Sequence, residues 1–421
     1  MGGVRLGADW QSPATMRRLA FAAIFAISAV YAGLVAIFST DMVHRLWGAM
    51  AACGYLLALV AGVAWRKPRG TDLALALSFA GGLVVPLVWM AAHAIEQPEV
   101  GVVVRSGMSL LHHGTPYASM STLDSTTDPN AYNPYLPLMA LFGLPDAIFG
   151  SGALTDPRIW FGVVFLVVFW LALRRGGARD PARWMLLVAG SPVIALELAI
   201  GGTDVPMVAF LCLGFAFLWQ PHPVLAGLAL GIGSAMKDTA WPAAVVALAL
   251  LAARDGKRAA GAFALTAGAV VAVCVGPFAV HPRSLVENTI LFPLGLAHRT
   301  SEAVSPLPGH LIAQTGHLGH TIVVAALAAV GLAVAVSLVF RPPRTVPRAV
   351  VLLATAMTIM FVLAPSTRFG YFIYPATLAV WLLATVAGRA GRGKCFTPDP
   401  GAPPANGRTR WRTSFASRPA A

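Results

Sequence analysis

The sequence predicts an all-α polytopic membrane protein. Of its 421 residues, 57% are hydrophobic and only 11% are charged, and the mean hydropathy is +0.72. A soluble domain carries about 25% charged residues. The apolar residues also fall into twelve runs, several of them about 20 residues long, which is the length an α-helix needs to cross a bilayer. We therefore expect about 12 transmembrane helices, within a range of 10–13.

The lengths of these runs vary along the chain. The runs are 19–38, 46–65, 73–95, 159–173, 184–200, 204–219, 224–236, 241–253, 259–280, 320–340, 348–364 and 371–388. The first is too long for a signal-peptide core and lacks a small-residue cleavage site, so we interpret it as a span. Several middle runs are short, which predicts re-entrant or broken helices. Gly227 and Gly231 form a GxxxG pair, which indicates close helix packing or a chance spacing in a Gly-rich chain.

Charge is distributed unevenly between the two sides of these spans. With the N-terminus inside, 23 of the 30 Lys and Arg residues fall on the inner side and eleven of the 17 acids on the outer side. Inner loops of membrane proteins are enriched in Lys and Arg. The distribution predicts a multi-pass protein of the plasma (inner) membrane with both termini cytoplasmic. The net charge of +13 then reflects cytoplasmic loops and not nucleic-acid binding.

The chain divides into three parts on this interpretation. Residues 1–18 form a cytoplasmic N-terminal segment and residues 19–388 the transmembrane domain, with outer loops at 96–158 and 281–319. Residues 389–421 form a basic cytoplasmic tail whose Pro, Gly, Arg and Ser content predicts disorder. Because the inner connections are short, we expect any chemistry on the outer face.

Two carboxylates open the first outer loop. Glu96 and Glu99 follow an apolar run, and the next residues, VGVVVRSGMSLLHHG, place apolar side chains at helical spacing. This pattern predicts an outer-face interfacial helix lying along the membrane, with Glu99 at its start, where the helix dipole favours a carboxylate. Glu99 is then either an acid that ends a span or a general base at the lip of an apolar cavity.

Isolated cations and aromatic residues interrupt the apolar runs on the outer side. Lys237 lies in SAMKDTAWP and Arg368 in APSTRFGYFIYP. Both residue types bind phosphate, Lys as a point charge and Arg through paired hydrogen bonds. The alternative is an ion pair or a snorkelling side chain. Tyr132 and Tyr135, in DPNAYNPYLP, either anchor an elbow at the membrane interface or stack on a sugar.

Further polar residues complete the outer-face candidates. Asp204 lies in the short turn GGTDVP, and Glu197 is the only acid within a predicted span, near its outer end. Acids within spans are functional candidates by default. The outer histidines match no metal-site spacing, so we expect no metal. The possible substrate-binding residues are Glu96, Arg105, His113, Tyr117, Asp128, Tyr132, Tyr135, Asp204, Asp238 and Arg299.

Taken in order, these motifs resemble those of glycosyltransferase family 87, the polyprenol-phosphomannose-dependent enzymes of the GT-C class. The resemblance is carried by an acid at the outer end of an early span, followed by HHGTPY, YNPYLP, GGTDVPMVAFLCLGFAF, LAGLALGIGSAMKDTAWP and TRFGYFIYP. It covers most of residues 73–388. The family acid is usually Asp and normally follows the first span, whereas here it is Glu99 and a hairpin of two spans precedes it.

The resemblance implies a GT-C-like fold and an inverting sugar transfer on the outer face. The sugar, usually mannose, passes from a polyprenyl phosphate to a hydroxyl of a glycolipid or glycan. By the same resemblance Glu99 is the catalytic base, and Lys237 and Arg368 bind the donor phosphate. It implies no cofactor, because the lipid-linked sugar is a co-substrate and no divalent metal is indicated. The implied partners are the bilayer, the donor and the acceptor.

Two other functions remain open from the sequence. A transporter or flippase of a lipid-linked saccharide tends to show internal repeats and ionisable residues near mid-membrane. This chain shows no clear repeat, and Glu197 lies near one edge. A non-catalytic family member that acts as a scaffold is favoured only if Glu99 proves replaceable. The concentration of polar residues on the outer side favours the enzyme.

Overall fold

The structure is a computed structural model that describes residues 13–65, 68–280, 282–293, 296–299 and 303–393. Parts of the N-terminal segment and of the second outer loop, and most of the tail, lie outside the described residues. The division of the chain into three parts therefore stays a prediction.

The described residues are helical, and their β-type pairing is limited to an isolated bridge between Val304 and Thr367. The α-helices are α1 Pro13–Phe38, α2 Met42–Ala64, α3 Pro68–Phe79, α4 Val85–Ala92, α5 Pro98–His113, α6 Met120–Ser125, α7 Leu144–Phe149, α8 Pro157–Gly176, α9 Pro181–Ala189, α10 Pro192–Ile200, α11 Asp204–Leu218, α12 Pro223–Met236, α13 Trp241–Arg254, α14 Lys257–Val275, α15 Pro282–Val286, α16 Pro308–Ala313, α17 His317–Phe340, α18 Val346–Leu363 and α19 Ile373–Gly393. Segments of 3-10 helix lie at Pro129–Ala131, Pro137–Gly143, Asp238–Ala240, Gly276–Val280 and Phe369–Phe372, and π-helical segments at Ala80–Val84 and Glu287–Leu291. The predicted all-α class is confirmed.

Eight helical stretches in the described residues are long and apolar enough to cross a membrane. They are Arg18–Phe38, Met42–Ala64, Arg69–Ala92, Pro157–Gly176, Lys257–Ala279, His317–Phe340, Val346–Leu363 and Phe369–Ala390. The pair α9 and α10, bent by 61°, would make a ninth if it crosses as one span. The protein is therefore a multi-pass membrane protein, but the predicted count of 12 is not confirmed.

The count differs because the middle helices are short. The helices α11 and α12 have 15 and 14 residues. At 1.5 Å per residue they are about 21–23 Å long, against a hydrocarbon core of about 30 Å. The sequence predicts broken or re-entrant helices among the short middle runs without saying which, and the structure places one such break between α9 and α10. It lies just before Pro192, which has no backbone N–H and disfavours helical geometry in the preceding residue.

Contacts at the helix termini group into two ends of the bundle. At one end, Arg158 at the start of α8 donates to the Ala199 carbonyl near the end of α10, at 2.9 Å; we call this end, where α8 begins and α10 ends, the site end. At the opposite end, Arg254 at the end of α13 donates to the Leu218 carbonyl at the end of α11, at 2.8 Å. The helices from α8 to α13 therefore run alternately between the two ends.

The predicted close packing at Gly227 and Gly231 is confirmed. A Cβ atom added to Gly227 would lie 2.6 Å from the Phe263 carbonyl oxygen, and one added to Gly231 would lie 3.0 Å from Ala267 Cα. The two glycines thus let the backbone of α12 contact that of α14 directly.

The main core lies where α8, α11 and α19 meet. Phe161, Phe165 and Trp381 are fully buried there. The Trp381 indole N–H donates to the Ala172 carbonyl at 3.1 Å, so its polar atom is satisfied. By contrast, α17 lies at the periphery and is exposed along most of its length, as expected for a helix that faces lipid.

Candidate active site

Glu99 and Arg368 form an ion pair at the site end. Glu99 lies in the first turn of α5, which confirms the helix predicted after it. Arg368 precedes the 3-10 turn that leads into α19, and its Nη1 lies 2.5 Å from Glu99 Oε1. The second oxygen of Glu99, Oε2, is buried and has no hydrogen-bond partner among the described residues. Glu99 therefore has one paired oxygen and one buried, unpaired oxygen.

The start of α5 is fixed by neighbouring protein. The Gln97 N–H donates to the Ile200 carbonyl at 2.8 Å, and Val100 and Val103 are buried. Farther along the helix, Met108 and Leu111 are exposed. Only this later part of α5 presents the apolar face expected of a helix at the membrane surface. The first turn, which carries Glu99, is held by contacts with the rest of the protein.

The turn that carries Arg368 is held by the second outer loop. The Thr367 N–H donates to the Ala303 carbonyl at 2.8 Å. The buried His310 ring contacts the Pro365 carbonyl through Nδ1 at 2.7 Å, which makes Nδ1 the donor. These bonds position the Arg368 backbone without using its side chain.

Lys237 is buried and paired with Asp204. Its Nζ lies 2.7 Å from Asp204 Oδ1, and the Tyr374 hydroxyl donates to the same oxygen at 2.6 Å. Burial by itself would lower the pKa of Lys237, but Asp204, Tyr371 and Tyr135 outweigh it and raise the pKa. Lys237 is therefore a fixed positive charge at the site end.

The two cations share a pair of tyrosines. Lys237 Nζ lies 5.1 Å from the centre of the Tyr371 ring and 5.6 Å from that of Tyr135, within cation–π range. Burial would lower the pKa of Arg368, and Glu99 and the same two tyrosines raise it. Lys237 and Arg368 thus belong to one electrostatic cluster, although each has its own carboxylate partner.

A third carboxylate, Glu197 on α10, belongs to this cluster. A Cβ atom added to Gly370 would lie 2.5 Å from Glu197 Oε1, so Glu197 packs directly on the turn that follows Arg368. Glu197 is not among the site residues that the sequence predicts, because it lies near the outer end of its span. Its position as a lone acid within an apolar run is the feature of the sequence that marks it as a functional candidate.

Two hydrogen bonds, made by the backbone of Tyr135 and of Leu136, place Tyr135 beside Lys237. The Tyr117 hydroxyl donates to the Tyr135 carbonyl at 3.0 Å, and the Leu136 N–H donates to the Met236 carbonyl at 2.9 Å. Burial raises the pKa of Tyr117, so its hydroxyl stays protonated as a donor. Tyr117 therefore acts on the site through the Tyr135 backbone.

Glu96 lies next to a buried ion pair at the start of α8. Arg158 Nη2 is 2.6 Å from Asp156 Oδ2 and 3.6 Å from Glu96 Oε2. Burial raises the pKa of Glu96 to about 7; Arg158 opposes this shift, and Asp156 and Asp146 add to it. Glu96 therefore changes charge near neutral pH.

Three predicted residues contact the first outer loop instead of this cluster. Arg105 donates to the Asn130 carbonyl at 2.5 Å, and Asp128 accepts from the Asn130 N–H at 2.8 Å. Arg299 donates to the Thr126 carbonyl at 3.1 Å. These contacts stabilise the loop, and a substrate-binding role for any of the three stays a prediction.

The remaining predicted residues differ in exposure. The Tyr132 ring is 1% exposed and stacks on Phe292 at 4.6 Å, so it does not present a free stacking surface. His113 is exposed at the end of α5. Asp238 is half-buried beside Lys237; burial raises its pKa, and Lys237 opposes that shift.

The described residues contain no group of three or more His, Cys, Asp or Glu side chains that could hold a metal ion. The absence of a bound metal stays a prediction. The absence of a cofactor stays a prediction.

The fold and the cluster define a class: a multi-pass membrane protein with a buried, charged site at one end of its helical bundle. The family model of glycosyltransferase family 87 matches residues 133–366, more than half of the chain, and the chain belongs to this family. It is thus a membrane glycosyltransferase, as the resemblance implied. The match includes Lys237, whereas Glu99 and Arg368 lie outside its ends. No curated protein and no solved structure matches the chain.

Proposed function

We propose that this protein transfers a sugar, mannose in the first instance, from a polyprenyl phosphate to a hydroxyl group of a glycolipid or glycan. The observation that carries the proposal is the Glu99 carboxylate. Its Oε1 is paired with Arg368, and its buried Oε2 has no hydrogen-bond partner among the described residues. A carboxylate with one oxygen held by an arginine and the other without a hydrogen-bond partner is suited to accept a proton from a substrate hydroxyl.

In the proposed reaction the acceptor oxygen attacks the anomeric carbon from the face opposite the phosphate. The hydroxyl proton passes to Glu99 Oε2. The bond between the anomeric carbon and the phosphate oxygen breaks, and its electron pair stays on that oxygen. The products are an inverted glycoside and polyprenyl phosphate. A positioned general base typically contributes about 10²–10⁴-fold to such a rate.

Lys237 and Arg368 are the proposed partners of the departing phosphate. Both belong to the cluster around Tyr135 and Tyr371. A phosphate leaves already ionised, so fixed cations that stabilise its growing charge serve in place of a general acid. Asp204 and Tyr374 hold Lys237 in place before the donor arrives.

The ion pair between Glu99 and Arg368 adds a step to this proposal. A donor phosphate competes with Glu99 for the Arg368 guanidinium, because Arg binds both anions through the same hydrogen bonds. As the phosphate takes over Arg368, Glu99 is freed to act as the base. Donor binding and activation of the base are then coupled.

The proposed location of this reaction is the outer face of the plasma membrane, with both termini cytoplasmic. The distribution of Lys and Arg supports this orientation. The cluster at one end of the bundle suits a reaction in which a lipid chain stays in the bilayer and the sugar reaches water.

The first test is transfer of labelled mannose from polyprenyl phosphomannose to extracted lipids, in membranes that contain the protein and no nucleotide sugar. Glu99→Gln keeps the shape of the side chain and removes its basicity, and we expect transfer to fall by about 10²-fold or more. Glu287→Gln, the same change in an acid of the second outer loop, is the matched control and should keep its transfer.

Other outcomes of this test also discriminate. Equal transfer by the wild type and Glu99→Gln, at equal expression, would exclude Glu99 as the base. No transfer by the wild type would exclude this donor and acceptor pair, and movement of the labelled lipid across reconstituted vesicles would then identify a flippase.

A further inference from the structure

Glu197 is the carboxylate of the charged cluster to which the proposed reaction assigns no role. Glu99 is paired with Arg368, and Asp204 is paired with Lys237. Among the described residues, the Glu197 side chain forms no hydrogen bond and no ion pair. It is half-buried, so part of its surface stays open to a ligand. A carboxylate that is partly removed from water and has no donor from the protein is poorly satisfied until a ligand supplies one.

Two glycines confine the Glu197 side chain. A Cβ atom added to Gly202 would lie 2.9 Å from Glu197 Cβ, and one added to Gly370 would lie 2.5 Å from Glu197 Oε1. The Glu197 carbonyl accepts from the N–H groups of Gly201 at 3.0 Å and Gly202 at 2.5 Å. Gly201 has a φ of +130°, a conformation that favours glycine and ends α10 at this point. Packing and the end of the helix therefore hold this carboxylate in place.

The Glu197 carboxylate lies beside the proposed phosphate site. Arg368 and Gly370 are two residues apart in one turn, and two residues of chain span at most about 7 Å. The centre of the Tyr371 ring, the next residue of this turn, lies 5.1 Å from Lys237 Nζ. In the donor the sugar is bonded directly to the phosphate. A phosphate held by the two cations therefore brings the hydroxyl groups of the sugar close to Glu197.

We propose that Glu197 recognises the sugar of the donor by accepting hydrogen bonds from its hydroxyl groups. This inference rests on the proposed function and adds a sugar-recognising residue to the same site. An ionised carboxylate only accepts hydrogen bonds and has room for about four donors. Sugar hydroxyls supply such donors without bringing a charge, whereas a sugar with its own carboxylate would be repelled. Glu197 therefore selects a neutral, hydroxyl-rich sugar.

The test measures binding of polyprenyl phosphomannose to the purified full-length protein in nanodiscs, in comparison with donors whose mannose lacks the hydroxyl at C2, C3, C4 or C6. We expect the wild type to bind at least one deoxy donor about tenfold or more weakly, because a hydrogen bond to a charged group is lost. Glu197→Ala should bind that donor and the mannose donor with equal dissociation constants. Glu287→Ala, the same change in a half-buried glutamate of the second outer loop, is the matched control and should keep the wild-type ratio.

The ratio of the two dissociation constants separates recognition of the sugar from other effects of the variant. All the donors carry the same phosphodiester charge, so a change of charge near Arg368 alters their binding equally and cancels in the ratio. A loss of stability also affects all donors alike. Because no acceptor is present, the ratio does not depend on Glu99 acting as a base.

Two outcomes would overturn the proposal. Equal binding of all the donors by the wild type would mean that no hydroxyl is recognised, and a wild-type ratio in Glu197→Ala would assign the recognition to another residue. If Glu197→Ala does not fold, Glu197→Gln replaces it. This variant keeps the shape and one acceptor oxygen but loses the charge, so the ratio should fall part of the way toward 1.

Failure of the proposed function gives a different result. If Glu99→Gln transfers mannose as well as the wild type while Glu197→Ala loses the discrimination, Glu99 is not the base and Glu197 still recognises the sugar. If transfer depends on Glu99 while Glu197→Ala keeps the wild-type ratio, the role of Glu197 alone is excluded.

Discussion

One carboxylate oxygen of Asp204 accepts hydrogen bonds from both Lys237 and Tyr374. The buried positive charge of Lys237 therefore depends on Asp204 as its counter-ion. In Asp204→Asn the buried ammonium loses its counter-ion, and we expect a loss of about 3–5 kcal/mol in the free energy of unfolding. Tyr374→Phe removes only a hydrogen bond and should cost about 0.5–1.5 kcal/mol. Thermal unfolding of the purified variants in detergent measures both.

The matched control for Asp204 removes both charges. In Asp204→Asn with Lys237→Met no charge stays buried, so this variant should be more stable than Asp204→Asn alone. If the two variants unfold at the same temperature, the Asp204–Lys237 pair does not account for the loss.

Gly370 gives a second prediction at the scale of one residue. In Gly370→Ala the new Cβ would lie 2.5 Å from Glu197 Oε1, so either Glu197 or the turn after Arg368 has to move. Such overpacking costs about 1–3 kcal/mol. We expect lower thermal stability and weaker sugar transfer. Adding Glu197→Ala makes room for the methyl group and should restore the lost stability; a further loss would contradict the predicted clash.

The contact between α12 and α14 gives a prediction at the scale of helices. Gly227→Ala would place a Cβ atom 2.6 Å from the Phe263 carbonyl oxygen, and backbone cannot yield as a flexible side chain does. We expect the two helices to separate slightly, at a cost of about 1–3 kcal/mol in the free energy of unfolding.

The control is Gly268→Ala on α14, where an added Cβ meets nothing within 4 Å. Ala is a better helix former than Gly by about 0.5–1 kcal/mol, so this variant should be neutral or slightly more stable. Thermal unfolding of the two variants, measured in parallel, tests the pair. Equal effects would mean that helix propensity and not close packing governs both positions.

The broken pair α9 and α10 shows what an element contributes to the site. The bend of 61° just before Pro192 redirects α10, and Glu197 on α10 then reaches Gly370. A straight helix with the same sequence would carry Glu197 in another direction. The sequence predicts that some of the short middle runs are broken, but neither which run nor the angle, because both depend on the helices packed around it.

Glu96 should make the whole protein less stable as the pH rises from about 4.5 to about 7. Its pKa is raised from 4.5 to about 7 in the folded protein, chiefly by burial. Below pH 4.5 Glu96 is protonated in both states. Between about pH 4.5 and 7 the unfolded chain releases the proton and the folded protein keeps it, so stability falls as pH rises.

Thermal unfolding at pH 5 and pH 8 tests this contribution. The midpoint of the wild type should fall more between these values than that of Glu96→Gln, which cannot titrate at this position. A parallel pH dependence of the two proteins would mean that Glu96 does not lie in the buried surroundings described here. The comparison between the two cancels the effect of other titrating groups.

Hydropathy and charge determine the class of this protein without reference to any contact. The apolar runs predict a helical membrane protein, and the order of its motifs indicates the family. Glu99, Lys237, Arg368 and Asp204 are also identifiable from sequence, because each is a charge at the edge of an apolar run. These are local properties, and a local pattern suffices to predict them.

Only the tertiary structure assigns partners to these residues. It pairs Glu99 with Arg368 and Lys237 with Asp204, brings Tyr374 to Asp204 across 170 positions, and places Glu197 against Gly370. It also shows that Tyr132 is stacked on Phe292 and that the middle helices are shorter than a straight span. The physical reason is that pairing depends on the directions and lengths of packed helices. Those are fixed by close contacts between distant parts of the chain, which no short stretch of sequence contains.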